Sequence, residues 1–283
     1  MWIRSVSAII TTTPPGDSSS WACATPTDEP VPLARRRRAG AFFLQERAMD
    51  KSIAVCAFLG LVSSALPVGA EQSVWTFDNL ARIGGLTPKV EGHPELVQSP
   101  IGQAIAFNGK DDALFFSGRP LVGAKNFTIE AIFRPDGGDE QQRWLHIAET
   151  DPATGQDAAA AGTSDNNPRF MFEIRVEGRN WYLDAFMKGK DSSQTLGFPA
   201  KLHPIGPWYA VAQTYDGKTY RTYVNGELQG EAEVKTFAPH GAGHVMIGTR
   251  MNHINYFHGA VAEARFTDRA LTPAEFLKLP AGK

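Results

Sequence analysis

Glu173 and Asp184 are the pair in this sequence best placed to do chemistry together. Between them lies Gly178-Arg179, which suits a two-residue type II′ hairpin with glycine first. With that loop Glu177 faces Asn180, Arg175 faces Tyr182 and Glu173 faces Asp184. Two opposed carboxylates can reach the roughly 5 Å separation of a retaining glycosidase. His146 or Tyr182 beside Arg175 could instead withdraw a proton next to a uronic carboxylate, as a polysaccharide lyase does. The candidate catalytic residues are therefore Glu173, Asp184 and His146. A strict two-residue alternation adds Glu130 and Trp144 to the same outward faces, giving a ligand-binding set of Glu130, Trp144, His146, Glu173, Arg175, Tyr182 and Asp184. Such a set binds sugar without reacting: an aromatic plane stacks on the apolar ring face while carboxylate and guanidinium groups hydrogen-bond hydroxyls. It is equally a structural network, in which Arg175 compensates carboxylates that would repel across the hairpin.

Strands must carry these side chains. Phe127, Ile129, Ala131 and Phe133 alternate with Thr128, Glu130 and Arg134, only Ile132 breaking the pattern, and Phe170, Phe172, Ile174 and Val176 alternate with Met171, Glu173 and Arg175. Further strands are expected over 74–77, 104–107, 144–149, 181–187, 208–215, 219–224, 244–249 and 260–267. Asp216-Gly217 and Asn225-Gly226 read as type I′ hairpin turns. One short helix is expected over 273–279, with Thr272 as N-cap, Glu275 completing a capping box, and Leu271 and Phe276 forming a hydrophobic staple. The stretch 151–167 is a long loop. The spacings of His240, His244, His253 and His258 match no zinc finger or ribbon. Asn252, Asn255 and Tyr256 lie near a loop tip, within reach of a ligand.

Residues 1–48 show no hydrophobic period and are read as a non-native or disordered extension. Residues 49–70 read as a signal peptide: Lys51, an apolar run from Ile53 to Leu66, then Val68-Gly69-Ala70. That run falls short of the roughly 20 residues of a membrane span, so no stable span is expected after processing. A long basic region around Arg35–Arg38, serving a twin-arginine signal, is the rival reading; either way the chain is expected to be secreted or periplasmic. Both cysteines, Cys23 and Cys56, lie in the removed part, so the domain over 71–283 needs no disulfide. It keeps 21 basic and 25 acidic residues, a balance that does not suit nucleic acid. No phosphate-binding glycine loop, nucleophile elbow or Cys-His pair occurs.

Three segments carry a resemblance. Asn126 to Gly137 (NFTIEAIFRPDG), Trp208 to Gly226 (WYAVAQTYDGKTYRTYVNG) and Phe257 to Phe276 (FHGAVAEARFTDRALTPAEF) are similar, in order and spacing, to the laminin-G-like branch of the concanavalin A-like jelly rolls. The likeness departs at Tyr209, where His is frequent, and at Ala262-Glu263 in the closing strand. It implies an all-β, two-sheet antiparallel jelly-roll sandwich with a concave sheet face. It further implies carbohydrate or extracellular protein partners, and frequently a structural calcium ion. Hard oxygen ligands suit calcium, and Asp78, Asp111 and Asp112 near chain turns, with Glu263 in the closing strand, form the expected metal set. The Glu-x-Asp-x-x-Glu strand motif of the laminarinase branch is absent. The expected function is an exported carbohydrate-binding or adhesion module. A polysaccharide lyase or glycosidase using the same face, or a structural envelope protein, are the alternatives.

Overall fold

The computed structural model describes residues 71–151, 155, 168–189, 193–234 and 241–281. The leader reading over 1–70, most of the 151–167 loop and His240 lie outside them. The first five strands are β1 (Gln72–Thr76), β2 (Lys89–Glu91), β3 (Glu95–Ser99), β4 (Gly102–Asn108) and β5 (Ala113–Phe116). The long central strands follow: β6 (Phe127–Pro135), β7 (Gln141–Glu149), β8 (Arg169–Glu177) and β9 (Asn180–Lys188). Next come β10 (Ser193–Thr195), β11 (His203–Pro204), β12 (Tyr209–Tyr215) and β13 (Thr219–Val224). The last are β14 (Glu227–Glu233), β15 (Gly243–Ile247) and β16 (His258–Thr267).

They form two eight-stranded antiparallel sheets. The first runs β14-β13-β12-β6-β16-β4-β3 with β1 on β16; the second runs β10-β9-β8-β7-β15-β5-β2 with β11 on β9. Alternation decides what lies between them. Phe127, Ile129, Ala131 and Phe133 of β6 meet Phe170, Phe172, Ile174 and Val176 of β8 in one core that also buries Trp75, Trp144 and Trp181. Phe133 packs edge-on against Trp181, ring centroids 5.2 Å apart, an arrangement favoured by the ring quadrupoles.

The exception at Ile132 has a cause on the opposite side of the first sheet. There Ile132, Ala210, Ala260 and Ala262 are covered by Leu277 and Leu279 of the C-terminal segment, so β6 is buried on both faces. The segment is pinned by the Thr128 hydroxyl, which donates to the Arg269 carbonyl (2.8 Å) and accepts from the Leu271 amide (2.7 Å).

The expected C-terminal helix is only a three-residue 3-10 turn, Pro273–Glu275. The capping box is present in part as foreseen, the Thr272 amide donating to the Glu275 carboxylate at 2.9 Å, and Leu271 and Phe276 pack together against Tyr223. The helix stops because Phe276 is extended and the Leu277 amide donates to Glu130 Oε1 (2.7 Å) rather than to a carbonyl one turn back.

Two hairpin turns keep the expected form. Gly178 has φ 60° and Arg179 a negative φ, as type II′ requires, while Asn225 and Gly226 are both positive (50° and 82°), as in type I′. At the third, Asp216 pairs with Thr219, which moves the central pair to Gly217-Lys218. Asp216 Oδ1 then accepts the amides of Lys218 (3.0 Å) and Thr219 (2.7 Å), so the aspartate shapes the turn with its side chain from outside the tip.

Candidate functional site

The Gly178-Arg179 turn fixes β8 against β9 in the register that pairs Glu173 with Asp184, Arg175 with Tyr182 and Glu177 with Asn180. These side chains lie on the outer face of the second sheet, because their neighbours Phe172, Ile174, Leu183 and Ala185 are in the core. The third strand of the site brings a surprise. Pairing of β7 with β8 shifts between Arg143 and Leu145, a β-bulge that puts Arg143 opposite Glu173. The bulge breaks the alternation, as an extra residue does. Trp144, expected on the ligand face, turns into the core with 1% of its surface exposed, its ring stacked near Phe133.

The result is a ladder of alternating charge across three strands. Arg143 Nε donates to Glu173 Oε1 (3.0 Å), Arg175 Nη2 stands 3.6 Å from Glu173 Oε2, and Arg175 Nε donates to Asp184 Oδ2 (2.5 Å). Asp184 Oδ1 accepts the Ala185 amide (2.9 Å). A Cβ at Gly197 would stand 3.1 Å from that same oxygen, so a glycine there leaves the carboxylate its room. Side-chain exposure falls from 18% for Arg175 to 8% for Arg143, 3% for Asp184 and 2% for Glu173. Arg175 is thus the charged tip, and the carboxylates hold it from beneath. Burial pushes the Glu173 carboxyl up to about 7 against the pull of Arg143 and Arg175. Tyr182 stands half-buried beside the ladder, and Arg169 lies 5.1 Å over the Phe186 ring on the same face.

His146 also faces outward but is fully covered. Its Nδ1 accepts the Met251 amide (3.0 Å), so the proton sits on Nε2, which has no partner among the described residues. Burial, and then the nearby Arg169, Arg250 and Arg143, hold its pKa well below the ordinary imidazole value. The Arg143 amide donates to the Asn255 carbonyl (3.0 Å), so the loop over 251–257 is stitched to the bulge. Asn255 is therefore spent on the scaffold through its backbone, and Tyr256 packs against Ala113, Ala148, Met246 and Met251.

Glu130 is not part of this face. It belongs to β6, on the outer side of the opposite sheet, fully buried under the C-terminal segment. Arg265 grips it through Nε and Nη2 (2.6 and 2.8 Å), a bidentate pairing that locks the chain end. The four carboxylates expected to hold calcium are likewise dispersed. Asp112 accepts the His93 and Asn108 amides (2.7 and 2.9 Å), Asp111 accepts from Asn108 Nδ2 (2.7 Å) and Asp78 from Asn79 Nδ2 (2.6 Å). Glu263 lies on β16, its carboxyl raised by burial. Among the described residues no three His, Cys, Asp or Glu side chains gather in one place.

Residues 108–276 match the family model Laminin_G_3, described as the concanavalin A-like lectin/glucanases superfamily. The chain belongs to this superfamily. Its two-sheet architecture is shared with solved structures. One is domain 4 of AbnA, a GH43 extracellular arabinanase from Geobacillus stearothermophilus, in complex with arabinotriose. That likeness has a TM-score of 0.54 and 14% identity over 73% of this chain and 97% of the other. Another is the binding domain of Paraclostridial Mosquitocidal Protein 1, with TM-score 0.51, 12% identity, 73% of this chain and 50% of the other. At such identities the likeness is one of fold. No curated protein sequence matches the chain.

Proposed function

We propose that this superfamily member is an exported carbohydrate-binding module that takes a glycan on the outer face of its second sheet. The observation that carries the reading is the Arg143–Glu173–Arg175–Asp184 ladder. Four charges laid across three strands and largely removed from water are costly, and ion pairs of this kind contribute little net stability. What they achieve is a guanidinium tip, Arg175, held rigid beside the half-buried ring of Tyr182. A rigid donor next to an aromatic plane is what a sugar ring needs, since its hydroxyls and its apolar face are met without ordering loose side chains. The likeness to a domain that holds arabinotriose supports the same ligand class. Export rests on the leader reading of residues 49–70.

In this reading Glu173 and Asp184 are positioning residues. Their side chains are 2% and 3% exposed and their oxygens are engaged by Arg143, Arg175 and the Ala185 amide, so neither is open to attack a substrate. The test is a glycan array probed with the full chain and with Arg175→Ala. Retention of a defined glycan class by the wild type and its loss in the variant is expected. Retention of the same glycans by Arg175→Ala would overturn the assignment of this face.

A further inference from the structure

A second opening lies away from the ladder, between β1, the turn bridged by Ile83 and Leu86, the loop from Arg119 to Ala124, and the end of β16. It is a cavity of about 470 Å3. None of its lining residues belongs to the ladder or its neighbours. The volume falls in the lower half of the range of small-ligand sites, about 300–1,000 Å3, which suits one or two sugar rings rather than a polymer.

Its walls are built with care. The Trp75 indole is clamped beneath Gly84, whose φ of 56° leaves no space for a side chain: a Cβ there would stand 2.1 Å from Nε1. That Nε1 donates to Ser73 Oγ (3.1 Å), which leaves the serine hydroxyl its own hydrogen to donate. Leu121 sits at φ 65°, a conformation costly for a bulky residue, and its carbonyl accepts the Ala124 amide (3.3 Å), which holds the loop in shape. Leu86 and Leu121 supply apolar surface, and the exposed Val122 marks the mouth. Arg119 enters the wall from the same loop, its Nε toward the Pro120 carbonyl (3.3 Å). Burial lowers its pKa to about 10, so it stays charged at neutral pH. Glu71 and Asp268 complete the lining, their backbones tied by a hydrogen bond from the Asp268 amide to the Glu71 carbonyl (3.1 Å).

The charged groups of the lining are therefore one guanidinium and two carboxylates. In the full chain, where Glu71 carries no terminal ammonium, an acidic ligand meets a net negative set of side chains. A neutral polyol meets two carboxylates that accept from hydroxyls, the Ser73 hydroxyl, and apolar surface for its ring face. We propose that this cavity is a second binding site, which holds one neutral sugar ring, either a free monosaccharide or the end residue of a glycan. It extends the carbohydrate-binding reading but uses different residues.

Titrating the full chain with methyl glycosides of neutral pyranoses and pentoses, with the matching neutral oligosaccharides and with glucuronic acid, while following the Trp75 indole N–H by NMR, tests it. The neutral glycosides should shift the Trp75 signal saturably and glucuronic acid at least threefold less tightly. The isosteric double variant Glu71→Gln/Asp268→Asn should weaken this response at least tenfold, while Arg175→Ala leaves it intact. Tighter binding of oligosaccharide than of methyl glycoside assigns the site to chain ends; equal binding assigns it to free monosaccharide. No Trp75 shift with any neutral sugar, or a shift indifferent to the double variant, overturns the proposal. If sugar binding survives but depends only on Arg175, the cavity fails and the sheet face stands. A Trp75 response with no binding sensitive to Arg175 would have the opposite meaning.

Discussion

Replacing Glu173 by glutamine tests the electrostatics of the ladder, because it removes the charge and keeps the shape. The carboxyl is 2% exposed, and desolvation outweighs the attraction of Arg143 at 3.0 Å and Arg175 at 3.6 Å, raising its pKa from 4.5 to about 7. A carboxyl whose pKa is raised on folding binds its proton more tightly in the native state. Its contribution to stability is fully present below about pH 4.5 and is lost as pH rises through about 7. At about 1.36 kcal/mol per unit, ionising Glu173 in the folded protein costs on the order of 3 kcal/mol above neutrality. The glutamine variant escapes that cost. Its stability relative to wild type should therefore improve by about 2 to 3 kcal/mol between pH 4.5 and pH 8.5, read as the difference in urea midpoint times the m-value. A variant that instead loses ground as pH rises would mean that the arginines win over desolvation, and the reasoning would fail.

Further outcomes follow from particular contacts. Gly197→Ala should push the Asp184 carboxylate off its place, costing about 1 to 2 kcal/mol of stability and weakening glycan binding through Arg175, as denaturation and binding on one sample will show. Trp144→Ala should cost about 3 to 5 kcal/mol by cavity formation, measured as a fall in denaturant midpoint; a change under about 1 kcal/mol would place the ring outside the core. Mass spectrometry of the exported protein should find Glu71 at its start, and a species retaining the segment before it would count against the leader.

Much of this arrangement is legible without coordinates. The alternation in β6 and β8 gives the core face, and Gly178-Arg179 alone fixes which residues oppose Glu173 and Arg175, because a two-residue loop leaves one register. The failures share a physical origin in non-local structure. A bulge is invisible to a two-residue period, so Trp144 is drawn to the face and Arg143, which takes its place, is passed over. Glu130 looks outward correctly, but only the partition of strands between two sheets separates it from Glu173, and no short-range pattern encodes that partition. Ile132 is the one local signal of the C-terminal cover. The helix at Pro273 ends early because its next amide finds Glu130, a partner more than a hundred residues away in sequence. The cavity beside Trp75 draws its wall from four separate segments, and Leu121 at positive φ leaves no trace in residue type.

The central claim is that the ladder exists to present Arg175 and Tyr182 to a glycan, and Tyr182 isolates it best. Its ring is half-buried on the face and outside the core, so Tyr182→Ala should change stability by no more than about 1 kcal/mol. Affinity of the full chain for the glycan class it retains on the array should nevertheless fall at least tenfold in that variant, by titration calorimetry. Unchanged affinity in a Tyr182→Ala protein of normal stability would contradict the account.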